Sequence, residues 1–164
     1  MMEVRRLTVG DLAAYRALHR MGLEESPTAF VEATADDAKR PDGEIEAMLA
    51  RGEGWGVFIE GALVGKLTID TLPYATLAHT RWVHALYVAR EARGSGAAAL
   101  LVEGAIAAAA QDGASVFSLW VSAENAAARA FYERLGFKQA GRIPGGLDQG
   151  GRRCDDILMC LARV

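Results

Sequence analysis

The sequence predicts a single α/β domain built on a mixed β-sheet, and three observations support this fold class. The chain has 164 residues, which matches one domain of roughly 100–200 residues. Its composition, with 51% hydrophobic and 24% charged residues, is that of a globular protein. Hydrophobic periodicity predicts elements in the order β-α-α-β-β-β-α-β-α-β-β, with no internal repeat or long linker. We therefore expect one domain over residues 1–164.

The N-terminal segment predicts a strand followed by a helix. Residues 3–7 form the expected first strand. Thr8 and Asp11 make a capping-box pair that begins the first helix, and Gly22 is expected to end it. Residues 24–40 are polar, so we expect an irregular or partly helical segment there.

A second helix and three strands follow. The helix is predicted over residues 42–50, where apolar side chains recur at i, i+3 and i+4. Strands are expected over residues 55–59, 63–71 and 81–88, the first two joined by a short hairpin that contains glycine. Strict alternation along the last strand predicts that one face carries Trp82, His84, Leu86 and Val88.

The C-terminal half predicts two strand–helix units and a hairpin. Gly94-Ser95-Gly96 opens a strongly apolar helix that extends to about residue 111. Residues 115–121 are apolar on both faces, as expected of an interior strand. The last elements are a helix over 125–135, closed by Gly136, and strands over 137–143 and 154–161 around a Gly-rich loop at 144–153.

Charge and cysteine content exclude several classes of protein. Lys plus Arg is 18 and Asp plus Glu is 21, so the net charge of −3 lacks the basic field of nucleic-acid-binding proteins. Cys154 and Cys160 have no CxxC motif or His cluster beside them, so no disulfide framework or metal site is expected. Neither a signal region nor an apolar segment of membrane-spanning length is present. The sequence predicts a soluble, cytoplasmic protein with no nucleic-acid or membrane partner.

The Arg93-Gly94-Ser95-Gly96 segment, between a strand and a helix, predicts an anion site. Two glycines at the start of a helix let backbone N–H groups point outward, where the helix dipole favours a phosphate. The segment lacks the G-K-[ST] of a Walker loop, and Ala99 stands where GxGxxG requires its third glycine. Alternatively, the glycines serve only the conformation of the turn.

A second motif, Asn125-Ala126-Ala127-Ala128-Arg129-Ala130-Phe131-Tyr132-Glu133-Arg134-Leu135-Gly136-Phe137, follows the next strand. The two motifs together resemble those of the GNAT superfamily of acyl-CoA-dependent N-acetyltransferases, V-x-P-x-x-R-G-x-G-x-G/A and N-x-x-A-x-x-x-Y-x-x-x-G-F. Arg90 replaces the usual proline and Ala98 stands where glycine is common, but neither change removes a backbone donor. The resemblance implies a mixed, mostly antiparallel sheet of six or seven strands, splayed between the fourth and fifth, with about four helices.

The resemblance also implies a site for acetyl-CoA. Leu86 and Val88 would offer backbone groups to the pantetheine, and Asn125 would bind near it, or serve only to cap its helix. Arg129 is assigned to the same site. The pyrophosphate would be held by the loop residues Arg93, Gly94, Ser95, Gly96, Ala97 and Ala98.

Two residues carry the chemistry that the resemblance implies. Tyr132 would place a phenol near the coenzyme sulfur and act as general acid; the alternative is a core aromatic. His84 matches the histidine in the strand of arylalkylamine acetyltransferases and would act as base, directly or through water, because only a neutral amine attacks a thioester. A structural histidine is the alternative. Trp82 occupies the position where some family members carry a glutamate base.

The acceptor is the least constrained part of the prediction. Glu24, Glu25, Phe30 and Trp82 are assigned to its pocket, where carboxylates would suit a cationic amine. We expect acetyl transfer to a primary amine of a small molecule or a peptide N-terminus, by direct attack in a ternary complex of a monomer or homodimer. The alternatives are a non-catalytic acyl-CoA-binding module of the same fold and, on the glycine loop alone, a nucleotide-phosphate-binding domain.

Overall fold

The computed structural model of the protein describes residues 1–27 and 34–163. Its helices are α1 (Leu12–Glu25), the single turn α2 (Thr34–Asp37), α3 (Asp42–Ala50), α4 (Ala97–Gln111) and α5 (Ala126–Arg134). Its strands are β1 (Met2–Arg6), β2 (Gly54–Ile59), β3 (Ala62–Thr71), β4 (Thr80–Val88), β5 (Val116–Ser122), β6 (Lys138–Gln149) and β7 (Arg152–Ala162). The predicted order of elements is confirmed, with α2 added.

The strands of the described residues form one seven-stranded sheet in the order β1-β2-β3-β4-β5-β7-β6. Every neighbouring pair is antiparallel except β4 and β5, which run parallel. That parallel pairing covers only Thr80–Trp82 of β4 against Val116–Ser118 of β5. Beyond it the two strands separate, so the predicted splay of the sheet is confirmed.

Helices cover both faces of the sheet and create separate clusters of buried side chains. On one face, α1 and α3 enclose a cluster that includes Tyr15, Ile45 and Phe58. On the other face, apolar side chains of α4, among them Leu101 and Ile106, pack against the strands in the largest cluster. Burial of such side chains is the main stabilising contribution to this arrangement.

The capping box formed by Thr8 and Asp11 is confirmed, but the predicted end of the first helix is wrong. The helix continues beyond Gly22 to Glu25. Gly22 is a buried position within this helix.

The predicted Gly-rich loop over residues 144–153 is also wrong. Strands β6 and β7 extend through this segment and pair as far as Gln149 and Arg152. The turn itself is Gly150-Gly151, with φ of +68° and +86°. Two consecutive residues with positive φ match the twist of a hairpin, so the turn is tight and both strands extend up to it.

A bulge in β4 overturns the predicted face of that strand. Ala85 has φ of +57°, and the register shifts there, so that Thr68 faces His84 whereas Lys66 faces Tyr87. Tyr87 therefore shares the face of His84, whereas Leu86 and Val88 lie on the opposite face and pack in the largest cluster. Because a bulge adds one unpaired residue, it reverses the alternation that the sequence pattern assumes. The buried Lys66 Nζ donates to the Ala85 carbonyl at 2.7 Å and holds the bulge.

Candidate active site

A cleft of about 950 Å³ opens where β4 and β5 separate. Side chains from both faces of the sheet line it, so the cleft passes through the splay. We call the part lined by Val88, Asn125 and Tyr132 the α4-side half, and the part lined by Trp82 and His84 the α1-side half. A cleft of this volume suits a small-molecule ligand, for which sites of roughly 300–1,000 Å³ are usual.

The loop before α4 has the geometry of an anion site. Gly94 and Gly96 have φ of +75° and +88°, and no atom lies within 4 Å of the position that a Cβ would take at either. The Ala97 amide donates to Ser95 Oγ at 3.3 Å. The amides of Gly94, Ser95, Gly96 and Ala98 donate to no acceptor within the described part of the chain. These donors lie at the positive end of a fifteen-residue helix, which is the arrangement that binds a phosphate.

The end of α1 holds Arg93, the residue that precedes this loop. Arg93 Nε donates to the Val88 carbonyl at 3.0 Å, and its Nη1 lies 3.2 Å from Glu25 Oε1. Glu25 also accepts hydrogen bonds from the Tyr87 hydroxyl and, at 2.9 Å, from Arg90 Nε. These donors, Tyr87 first, lower the pKa of Glu25, whereas burial and Glu25 raise the pKa of Tyr87 to about 12. Glu25 thus joins α1 to the glycine loop.

The exposed edge of β4 and the start of α5 complete the α4-side half. Leu86 and Val88 line the cleft on the stretch of β4 that has no partner in β5. Asn125 also lines it, and its Oδ1 caps α5 by accepting from the Ala128 amide at 3.1 Å. The cap leaves the Asn125 NH₂ group to donate to a ligand. Arg129 does not line the cleft; its buried Nε has no hydrogen-bond partner among the described residues.

Tyr132 lies on α5 with its ring fixed and its edge in the cleft. Phe131 and Phe137 pack against it edge-to-face, with ring centroids at 5.2 and 5.5 Å. No described residue makes a hydrogen bond with its hydroxyl, and the residue lines the cleft. Burial raises the pKa of Tyr132, because desolvation disfavours the phenolate. The hydroxyl therefore stays protonated at neutral pH and can donate a proton.

His84 is paired with a carboxylate that the sequence interpretation missed. Its Nε2 lies 2.8 Å from Asp70 Oδ2, and both half-exposed side chains line the α1-side half. A carboxylate accepts hydrogen bonds only, so in the neutral imidazole Nε2 carries the hydrogen and Nδ1 has the lone pair. Asp70 stands opposite Trp82 in the β3–β4 register. The sequence signal was available in principle, since Asp70 and Thr68 alternate with apolar residues along β3.

Trp120 and Asp156 are two further cleft residues that the sequence did not single out. The Trp82 and Trp120 rings are stacked across the splay, with centroids 6.4 Å apart and planes 5° from parallel. Asp156 lies on β7 opposite Ser122 of β5. Burial raises the pKa of Asp156. Assigning Trp120 and Asp156 to the cleft requires the order of strands in the sheet, because β5 and β7 are distant in sequence.

The residues predicted for the acceptor pocket do not all meet there. Trp82 lines the α1-side half of the cleft, whereas Glu25 contacts the glycine-loop arginines and Glu24 is exposed outside the cleft. Phe30 lies outside the described residues.

The profile of the acetyltransferase (GNAT) family matches residues 12–137, which include both motifs and most of the chain. The chain belongs to the GNAT acetyltransferase family. No curated protein matches this GNAT chain.

Solved structures of GNAT proteins resemble this one over nearly their whole length. A ribosomal-protein-alanine N-acetyltransferase from Brucella melitensis has 25% identity and a TM-score of 0.83, with 98% of this chain and 99% of that chain covered. A GNAT-family acetyltransferase from Streptococcus pneumoniae has 24% identity and a TM-score of 0.84, covering 99% of both chains. A putative acetyltransferase from Salmonella typhimurium, solved with its cofactor acetyl-CoA, has 19% identity and a TM-score of 0.85, covering 100% of this chain and 95% of that chain.

The residues of this GNAT cleft fit acetyl-CoA. The family uses this thioester, and the glycine loop supplies amides that no described residue pairs with and that a pyrophosphate requires. No set of three metal-ligating side chains occurs among residues 1–27 and 34–163. None of the helices in that part of the chain combines the length and apolarity of a membrane span.

Proposed function

We propose that this GNAT protein transfers the acetyl group of acetyl-CoA to a primary amine of a small molecule or peptide N-terminus. The observation that carries the proposal is one continuous cleft that has Tyr132 and two residues of the anion-binding loop, Arg93 and Ala98, in one half and the His84–Asp70 pair in the other. An acetyl donor and an amine can therefore meet at the splay. The Brucella melitensis relative is named for ribosomal-protein alanine, which is a precedent for a peptide acceptor.

The coenzyme is held by the α4-side half. Acetyl-CoA, when bound, supplies a thioester carbonyl that a neutral amine attacks. The loop amides and Arg93 bind the pyrophosphate, while Leu86, Val88 and Asn125 position the pantetheine along the free edge of β4.

Proton transfer is assigned to His84 and Tyr132. An alkyl amine is protonated at neutral pH, with a pKa of about 10, so it must lose a proton before attack. His84 Nδ1 accepts this proton, directly or through water, while Asp70 fixes the ring by accepting from Nε2. Tyr132 donates its hydroxyl proton to the departing sulfur. The amine reacts directly in a ternary complex, because Cys154 and Cys160 do not line the cleft.

Release of free thiol from acetyl-CoA tests the proposal across a panel of amines, amino acids, aminoglycosides and peptides with free N-termini. The expected result is amine-dependent thiol release and an acetylated product identified by mass spectrometry. Calorimetric binding of acetyl-CoA without transfer to any acceptor would overturn the catalytic proposal in favour of a non-catalytic acyl-CoA-binding module.

We place the protein in the cytoplasm, in keeping with its two free thiols.

A further inference from the structure

Two stacked tryptophans form the floor of the α1-side half of the cleft. Trp82 belongs to the last β4–β5 pair before the strands separate, and Trp120 lies just beyond this point on β5. Trp120 keeps 39% of its surface exposed, which is unusual for so large an apolar side chain. The pair offers a ligand an aromatic surface beside the point where β4 and β5 separate.

Carboxylates also line the cleft. Asp70 stands beside Trp82 on β3, Asp156 stands on β7 across the splay, and Asp36 also lines the cleft. No Lys or Arg of the described residues forms an ion pair with Asp156. Burial raises the pKa of Asp156, which means that its charged form is poorly solvated.

The basic groups around the cleft have other partners, and the buried Lys66 Nζ donates to the Ala85 carbonyl. His84 is paired with Asp70, and Arg93 lies at the coenzyme end, where it contacts Glu25. Burial lowers the pKa of His19 to about 4, so this histidine is neutral at neutral pH. The α1-side half is therefore an aromatic compartment with one carboxylate, Asp156, that no Lys or Arg of the described residues pairs with.

We propose that this compartment selects as acceptor a compact organic cation, an amine with an apolar body and no acidic group, that rests on the tryptophan pair with its positive charge toward Asp156. The inference rests on the proposed function for the identity of this ligand as acceptor. Its physical basis is independent of catalysis. A cation is attracted to the faces of tryptophan rings and to poorly solvated carboxylates, whereas an anionic amine would bring like charges together.

A cation that cannot be acetylated separates binding from transfer. Isothermal titration calorimetry compares phenethyltrimethylammonium with 3-phenylpropionate, an anion of similar apolar body. We expect the cation to bind at least roughly tenfold more tightly, since cation–aromatic and charge contacts favour it and repulsion disfavours the anion. Asp156→Asn should weaken cation binding roughly tenfold and reduce the discrimination between the two ligands.

Matched variants show whether the contacts are local to the compartment. Trp120→Leu removes the aromatic face and should weaken cation binding several-fold, whereas Trp120→Phe should retain part of it. Glu103→Gln and Tyr74→Leu change an exposed carboxylate and an exposed aromatic outside the cleft, and both should bind as the parent protein does. Unchanged circular dichroism and acetyl-CoA affinity establish that each variant is folded.

The outcomes distinguish this inference from the proposed function. Equal affinity for the cation and the anion, or cation binding that Asp156→Asn leaves unchanged, would overturn the inference. Selective cation binding without transfer to any amine would support the compartment and refute only the catalytic proposal. Transfer that favours amino acids over amines lacking a carboxylate, unchanged in Asp156→Asn, would refute only the inference.

Discussion

Replacing Tyr132 by phenylalanine removes one hydroxyl from the cleft and preserves the packing of the ring. The edge-to-face contacts with Phe131 and Phe137 involve the ring alone, and no described residue makes a hydrogen bond with the hydroxyl. The free energy of unfolding should therefore change by less than about 1 kcal/mol, because no hydrogen bond within the described structure is lost. Any large effect of Tyr132→Phe must come from chemistry.

The expected loss of activity follows from the role of a general acid. Such catalysis contributes about 10²–10⁴-fold, and a departing thiol with a pKa of about 8.5 needs the least help, so kcat should fall about 100-fold. Acetyl-CoA affinity should change only a few-fold. Because burial raises the pKa of Tyr132, the hydroxyl stays protonated and the ratio of parent to variant kcat should be constant between about pH 6 and 9.

Stopped-flow measurement of thiol release under single-turnover conditions reports the chemical step without product release. The matched control is Tyr74→Phe, which removes an exposed hydroxyl outside the cleft and should leave kcat unchanged. A Tyr132→Phe variant with nearly full single-turnover rate would refute the reasoning, and Tyr132 would then be a packing residue.

Three further predictions concern the loop, the base and stability. Gly96→Ala should weaken acetyl-CoA binding at least roughly tenfold in calorimetry. The control Gly113→Ala has a similar positive φ at the other end of α4 and should cost only about 1 kcal/mol of stability. Equal acetyl-CoA affinities in the two variants would count against the loop. Asp70→Asn should lower kcat roughly tenfold and His84→Ala about 100-fold with acetyl-CoA affinity unchanged, and full activity of both would exclude the pair from catalysis. Burial lowers the pKa of His19 to about 4, so below about pH 6.5 the unfolded chain binds a proton that the folded chain does not. The free energy of unfolding should therefore fall by roughly 2 kcal/mol between about pH 6.5 and 4. Urea titrations of His19→Gln should lack this pH dependence, and a variant that keeps it would show that other groups cause it.

Local sequence patterns determined much of this protein. Thr8 and Asp11 form their capping box because the two residues lie within one turn. Gly94 and Gly96 adopt left-handed conformations before α4, and Asn125 caps α5, because each depends on a few consecutive residues. Periodicity is a local property too, which is why the order of strands and helices could be predicted and why two motifs sufficed to indicate the family.

Tertiary structure decided what the cleft contains. The bulge at Ala85 depends on a hydrogen bond from Lys66, nineteen residues earlier, and it alone turns Tyr87 toward α1. The contact of Glu25 with Tyr87 spans 62 residues. The stacking of Trp82 with Trp120 likewise joins strands that pair only after a helix has crossed over the sheet. Such contacts depend on how separate elements pack and on register, and a one-residue shift of register moves a side chain to the other face of the sheet.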